Sequence, residues 1–266
     1  MRSAWALIRV TFLTAASYRL AMLVSVAGLA LQIVPTYYIG RTLNPYLAPT
    51  IAEQGGDLFG FLVLGTIAYL LLAAAVDSLP RAFERGISTG TLELIFSTPS
   101  PVAALLVGLT GYEILFAMTR CVVVLLAATV FGFHPHWANV PAAMLILGVI
   151  VVTYFGVGMI AGGMIIAYRR TASLQTIAIL GSAILGGVTY PPSLIPSWLG
   201  KFSGLVPMTY GIRAVRQLVI GGTPLRAVLP DVGILAMFCV AFLALGSLAM
   251  THALRRARAE GTLSQY

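Results

Sequence analysis

The chain has 266 residues, of which 59% are apolar and only 9% are charged. Soluble domains carry about 25% charged residues, so this composition argues against a water-soluble enzyme and predicts a membrane protein. The net charge of +8 does not indicate nucleic-acid binding, because the basic residues stand in small groups between apolar runs. Charges distributed in this way suit anionic lipid head groups.

Residues 1–19 form the first predicted element, an amphipathic helix on the inner membrane surface. Three apolar residues share one face of this helix and two arginines share another: Trp5, Ile8 and Phe12, and Arg2 and Arg9. A frayed terminus is the alternative. A cleaved signal peptide is not expected, because the first apolar run begins near Leu20 and has full membrane length.

A helix needs about 20 apolar residues to cross the hydrocarbon core of a bilayer. Five runs meet this requirement: Leu20–Gly40, Leu58–Asp77, Pro141–Tyr168, Thr171–Tyr190 and Asp231–Leu254. The apolar stretch from Pro101 to Phe133 is too long for one ordinary span. We therefore expect a crossing at Tyr112–Phe131, preceded by a separate elbow helix at Val102–Gly111. The predicted fold is an all-α integral membrane protein with six transmembrane helices in one domain, residues 1–266.

Basic residues predict the orientation of these spans, because loops on the cytoplasmic side carry an excess of lysine and arginine. With the N-terminus inside, the inner segments hold Arg2, Arg9, Arg19, Arg81, Arg85, Arg169, Arg170, Arg255, Arg256 and Arg258. The outer segments then hold Arg41, Lys201, Arg213, Arg216 and Arg226. This asymmetry predicts that both termini are cytoplasmic.

A polar interruption, ERGISTGTLELIFSTPSP, follows the second predicted span. Gly90 or Thr91 can begin a short helix there, with Glu93 in its first turn, where a carboxylate favours the helix dipole. Pro99 ends it. Two turns with one apolar face suit docking into a groove of another protein. A helix resting on lipid is the alternative.

The loop before the last span, residues 191–222, is too apolar to be fully solvated and too rich in proline to cross the membrane. We expect two short helices, at about Ser193–Gly204 and Pro207–Ile220, that enter the outer leaflet and return. Pro207 begins the second helix. The residues that define this hairpin are Pro191, Pro207, Tyr210 and Arg213.

Few charged residues are expected inside the membrane, and Asp77, Glu113 and Arg120 are the candidates for an intramembrane ion pair. Glu113 and Arg120 share one helical face, so a structural pair and a role in transport are both open. The spacing Gly158-x-x-x-Gly162 predicts close helix packing.

The sequence offers little catalytic chemistry. A phosphate-binding loop needs G-x-x-x-x-G-K-[ST], but the single lysine, Lys201, is followed by Phe202. His134 and His136 have no acidic neighbours in sequence and are expected to be interfacial rather than zinc ligands. Cys121 and Cys239 lie in apolar runs and are expected to be buried.

Two motifs resemble those of ABC-type-2 exporter permeases. GTLELIFSTP (Gly90–Pro99), with Glu84 before it, is similar to the segment that follows the second span in that family. SLIPSWLGKFSGLVPMTYGIRAVRQLVIGG is similar to the segment before the last span, with its P-x-T-Y and arginine pattern. Both motifs occur in the family's order, and the resemblance covers essentially the whole chain.

The resemblance implies the permease subunit of an exporter that contains two permease chains, identical or paralogous, and two separate ATPase subunits. Residues 84–99 would form the coupling helix seated in an ATPase, residues 1–19 an interface helix, and residues 191–222 a cap over the path. ATP and Mg²⁺ would bind the partner ATPase, with no cofactor or metal on this chain. The location would be a bacterial inner membrane. The implied coupling residues are Glu84, Gly90, Thr91, Leu92, Glu93, Thr98 and Pro99.

Two other classes of protein are alternatives. A secondary transporter would need ionisable groups at the bilayer midplane, for which Arg120 is the candidate. An intramembrane enzyme would need clustered catalytic groups, and the few acidic residues lie near span ends instead.

Overall fold

The computed structural model describes residues 19–91, 102–168, 172–191, 194 and 196–259. Within these ranges the chain is all-helical, as predicted. The helices are α1 (Arg19–Leu47), α2 (Leu58–Ser88), α3 (Val102–Val130), α4 (Val140–Tyr168), α5 (Ala172–Leu185), α6 (Ser197–Ser203), α7 (Pro207–Val219) and α8 (Leu225–Ala259). Short 3₁₀ turns at Ala48–Gln54 and Trp137–Asn139 precede α2 and α4.

In the part of the chain that the structure describes, four helices are long and apolar enough to cross a membrane. They cover Leu58–Ser88, Ala104–Val130, Trp137–Ala167 and Leu225–Ala257. Helix α1 reaches 29 residues but is not among these four. Helix α5 has only 14 residues, which is shorter than the roughly 20 that a crossing requires. Six crossings therefore remain a prediction.

The predicted elbow at Val102–Gly111 is wrong as a separate helix. Residues 102–130 form one continuous helix of 29 residues. The sequence offers no proline inside this stretch, and the hydroxyl of Thr110 donates to the carbonyl of Leu106 at 2.9 Å within the helix. Without a residue that removes a backbone hydrogen bond, nothing local breaks the helix at Gly111.

Helix α2 is the central element of the bundle, because it packs against α1, α3 and α4 and much of its surface is buried. Asp57 begins it by accepting hydrogen bonds from the backbone N–H groups of Phe59 and Gly60, each at 3.1 Å, as an N-cap residue does. The helix then continues for 31 residues, about 46 Å at 1.5 Å per residue.

Glycines let the long helices touch through their backbones. A Cβ at Gly156 of α4 would stand 2.5 Å from the carbonyl oxygen of Phe242 in α8. A Cβ at Gly246 of α8 would likewise collide with the carbonyl oxygen of Gly156. In a membrane the hydrophobic effect does not hold helices together, and small residues at such crossings allow the van der Waals packing that does.

The close packing predicted at Gly158 and Gly162 is also present, and both residues face α2. A Cβ at Gly158 would lie 2.7 Å from the carbonyl oxygen of Ala75 and 3.0 Å from that of Val76. Pro80 lies inside α2 and has no N–H to donate to Val76. The α4 backbone therefore approaches α2 where the internal hydrogen bonding of α2 is interrupted.

Candidate functional site

The polar segment after α2 begins with a glycine-terminated turn. The N–H of Gly90 donates to the carbonyl of Ile87 at 3.1 Å, and that of Thr91 donates to the carbonyl of Gly86 at 2.9 Å. Gly90 has a φ of 66°, the left-handed conformation that glycine adopts without a Cβ penalty. This paired pattern is the Schellman ending of a helix. Gly90 therefore ends α2 instead of beginning the next helix.

The structure divides the predicted coupling segment at this turn. Glu84 lies exposed in the last turns of α2, so residues 84–99 are not one helix. Thr91 follows the turn, and its hydroxyl lies 2.8 Å from that of Thr89. The remaining predicted coupling residues, Leu92, Glu93, Thr98 and Pro99, lie outside the described residues. So do residues 1–18 of the predicted interface helix at 1–19, and Arg19 belongs to α1.

An ion pair joins this end of α2 to α3. The guanidinium of Arg85 donates to the carboxylate of Glu113 at 2.7 Å, with the two side chains 57% and 25% exposed. Arg81 pairs with Asp77 one turn earlier in α2, at 2.5 Å. Both acidic residues predicted for an intramembrane pair thus meet arginines near the coupling segment.

In the described residues, Arg120 joins neither Glu113 nor Asp77, which pair with Arg85 and Arg81. In the described ranges it forms no ion pair, and its guanidinium stands 5.9 Å from the centre of the Phe116 ring. Seven residues separate Arg120 from Glu113, about 10 Å along a helix axis. Arg85, on a neighbouring helix, reaches Glu113 across a shorter gap.

Two short helices occupy the positions predicted for the hairpin, at Ser197–Ser203 and Pro207–Val219. Pro207 begins α7, as predicted. Across the connection, Thr209 donates its hydroxyl to the carbonyl of Ser203 at 2.7 Å. Tyr210 donates to the carbonyl of Gly204 at 3.0 Å. Pro191 is buried, and its carbonyl accepts the N–H of Leu194 at 3.0 Å.

Arg213 ties this hairpin to the last helix. Its Nε and Nη2 donate to the two carboxylate oxygens of Asp231 at 2.8 and 2.5 Å, the two-pronged geometry that guanidinium groups favour. Its guanidinium also stands 5.5 Å from the centre of the Tyr210 ring. Tyr210 and Arg213, both predicted hairpin residues, therefore contact each other.

Arg216 is the functional candidate that the sequence prediction missed. It is 1% exposed, yet its Nη1 donates to the carbonyl of Gly187 at 2.8 Å. Its Nη2 donates to the carbonyls of Val188 at 2.7 Å and Phe61 at 3.1 Å. The guanidinium carbon lies 3.3 Å from the centre of the Phe61 ring. We call this contact, formed by Arg216, Gly187, Val188 and Phe61, the arginine clamp.

The arginine clamp connects three segments: α7, the turn after α5, and the first turns of α2. Carbonyl dipoles and the face of an aromatic ring stabilise a buried cation. The sequence did contain one signal for this burial. Arg216 lies four residues after Ile212 and three before Val219, so helical spacing places it on the apolar face of α7.

Gly65 makes the close approach in the arginine clamp possible. A Cβ at this position would collide with the carbonyl oxygen of Val188 and stand 3.1 Å from Nη2 of Arg216. Only a residue without a side chain leaves room for that carbonyl beside α2. Gly65 and Arg216 therefore both depend on the position of the Val188 carbonyl beside α2.

His136, one of the two histidines in the loop before α4, contacts the end of α7. His136 places Nδ1 3.2 Å from the carbonyl oxygen of Val219, and its backbone N–H donates to the same oxygen at 2.9 Å. Among the described residues, no group of three or more histidine, cysteine or acidic side chains could hold a metal ion. His136 instead attaches the loop before α4 to the end of α7.

Long apolar helices packed through glycines, with polar segments at their ends, define a multi-pass membrane protein. The sequence pattern of the family described as "ABC-2 type transporter" matches residues 4–220. The chain belongs to this family, and the resemblance noted from its two motifs is confirmed. It is a permease subunit of the ABC transporter class, in a family whose membrane domains lack ATP-binding sites.

Individual proteins also resemble this chain in sequence, at low identity. The chain is 22% identical over 203 residues to Nodulation protein J of Bradyrhizobium diazoefficiens, covering 70% of this chain and 75% of that protein. It is 24% identical over 193 residues to ABC transporter G family member 20 of Dictyostelium discoideum, covering 70% of this chain but 26% of that protein. It is 18% identical over 123 residues to Linearmycin resistance permease protein LnrN of Bacillus subtilis, covering 46% of this chain and 32% of that protein.

Proposed function

We propose that this chain forms half of the translocation path of an ATP-driven exporter, as a dimer with an identical or paralogous chain. Two separate ATPase subunits supply the energy, and ATP and Mg²⁺ bind to them. The observation that carries the proposal is the family match over residues 4–220, together with the polar segment that follows α2. The chain resides in a bacterial inner membrane, crosses it six times and has both termini in the cytoplasm.

Helix α2 is suited to carrying motion across the membrane. Its last turns lead into the coupling segment, residues 84–99, and its first turns hold Phe61 in the arginine clamp. Thirty-one residues of continuous helix, packed on three sides, resist compression because protein interiors are close-packed. A shift of the coupling segment is therefore transmitted to the hairpin at 191–222, which we place at the outer end of the path.

If the coupling segment transmits the energy of ATP hydrolysis, a change in it should reduce transport without stopping hydrolysis. Glu93→Arg reverses a charge at the proposed ATPase interface, and like charges at an interface cost several kcal/mol. We expect at least about a tenfold fall in cargo exported per ATP hydrolysed, with the ATPase subunits still active. The measurement is export and phosphate release in proteoliposomes that contain the whole complex.

Glu53→Arg is the matched control, because Glu53 belongs to the 3₁₀ turn before α2, at the opposite end of that helix. It should export normally. The proposal fails if the chain exports at full rate with no ATPase present, or if Glu53→Arg and Glu93→Arg reduce coupling equally.

The ion pair between Arg85 and Glu113 predicts a second result. The pair is partly exposed, so its loss should cost only about 0.2–1 kcal/mol of stability. Because it orients the end of α2 towards α3, Arg85→Glu should nevertheless reduce export several-fold. The double variant Arg85→Glu with Glu113→Arg restores the attraction and should recover most of the export. Equal loss in the single and double variants would contradict a positioning role.

A further inference from the structure

A cavity of about 540 Å³ lies beside the first turn of α2, at the opposite end of that helix from the coupling segment. Its walls come from the end of α1, the start of α2 and the loop after α3. The residues that line it include Tyr37, Arg41, Asn44, Asp57, Phe59, Phe131 and His134. On the predicted topology, the cavity lies at the outer membrane interface.

Two opposite charges line this cavity without meeting. Arg41 is exposed, and its guanidinium stands 5.4 Å from the centre of the Tyr37 ring. Asp57 uses its oxygens to accept the N–H groups at the start of α2, and a carboxylate retains further acceptor positions. In the described part of the chain, neither residue belongs to an ion pair. Both charges are therefore open to a ligand.

The other half of the cavity wall is aromatic. The Tyr37 ring lies 5.4 Å from that of Phe59 and 5.5 Å from that of Phe131, measured between ring centres. Aromatic groups beside charged ones match the boundary between head group and acyl chain in a membrane. The cavity thus has the polarity of an amphiphile rather than that of a small ion.

The walls are held in place before any ligand binds. The side-chain oxygen of Asn44 accepts the N–H of Leu58 at 2.9 Å and so connects α1 to α2. A Cβ at Gly40 would lie 2.8 Å from Cα of Phe59, which shows how closely the helices approach. A preformed cavity spares a ligand the cost of ordering its own site.

We propose that this cavity binds one zwitterionic phospholipid of the outer leaflet. The phosphate contacts the guanidinium of Arg41, and the ammonium of the head group contacts the carboxylate of Asp57. The first part of an acyl chain lies against Tyr37, Phe59 and Phe131. A zwitterionic lipid uses both charges and the aromatic wall, and a membrane supplies it at this depth.

The test is native mass spectrometry of the full-length chain, released from detergent and titrated with phosphatidylethanolamine or phosphatidylglycerol. We expect one tightly bound phosphatidylethanolamine, held about fivefold or more above phosphatidylglycerol. Arg41→Gln should weaken both lipids about tenfold, which is the scale of one charge-assisted hydrogen bond. Asp57→Asn should abolish the preference between the lipids, while asparagine still caps α2.

Arg226→Gln is the matched control, because Arg226 is also exposed on the predicted outer side but does not line the cavity. It should leave lipid binding unchanged, and thermal unfolding should show that all three variants fold. The proposal is overturned if Arg41→Gln and Arg226→Gln act alike, or if both lipids bind equally to the unaltered chain. Displacement by free phosphoethanolamine at lipid-like concentrations would also overturn it, because the aromatic wall would then be unused.

Discussion

Replacing Arg216 by methionine should destabilise the protein by about 3 kcal/mol, since each buried polar group left without a partner costs about 1–3 kcal/mol. Methionine fills a similar volume but donates no hydrogen bond. The carbonyls of Gly187 and Val188 would lose the donors that they have in the arginine clamp. Removing a buried charge recovers part of this cost, which is why the expected loss is not larger.

The measurement is thermal unfolding of the purified protein in detergent, where a loss of this size should lower Tm by roughly 5–10 °C. The Tm of Arg216→Lys should lie between those of the unaltered protein and Arg216→Met, because an ammonium group neither stacks flat on Phe61 nor spans three carbonyls. Arg226→Met is the control for loss of an exposed arginine and should change Tm little. An unchanged Tm in Arg216→Met would show that the buried guanidinium contributes nothing to stability.

Gly65→Ala is expected to have a comparable effect through steric collision alone. The new methyl group would collide with the carbonyl oxygen of Val188 and stand 3.1 Å from Nη2 of Arg216. Both neighbours are held by the arginine clamp, so neither moves without breaking a hydrogen bond. Forcing a group into such packing costs about 1–3 kcal/mol, more than the 0.5–1 kcal/mol that alanine gains over glycine within a helix.

Gly148→Ala provides the matched control, because Gly148 lies inside α4 with no atom within 4 Å of the position its Cβ would take. It should leave Tm unchanged or raise it slightly. The informative quantity is the difference between the two glycine variants in the same unfolding assay. If Gly65→Ala is as stable as Gly148→Ala, the approach of Val188 to α2 is looser than described.

The features that the sequence predicted are local ones. Among the described residues, four of the six predicted crossings coincide with helices long and apolar enough to cross a membrane. Pro207 begins a helix because its fixed φ and missing N–H suit the first turn. The two helices of the hairpin follow from the prolines and glycines that bound them. Such signals require only neighbours in the chain.

The features that it missed involve distant partners. Glu113 meets Arg85, 28 residues earlier, and Arg216 meets Phe61, 155 residues earlier. Helical spacing assigns a residue to a face but does not show which neighbour covers that face. The prediction of a separate elbow helix was wrong for a different reason. It rested on apolar length alone, and the sequence has no proline that would break α3.

The interrupted hydrogen bond at Pro80 has a consequence for how α2 deforms. An uninterrupted helix bends sharply only by stretching or breaking bonds, whereas prolines are common sites of kinks because one bond is already missing. A bend at Pro80 therefore breaks one hydrogen bond fewer than a bend elsewhere in α2. Gly158, whose backbone faces the free carbonyl of Val76, presents no side chain to obstruct that bend. The point at which α2 bends most easily thus lies between the part that holds the arginine clamp and the end that carries Arg85.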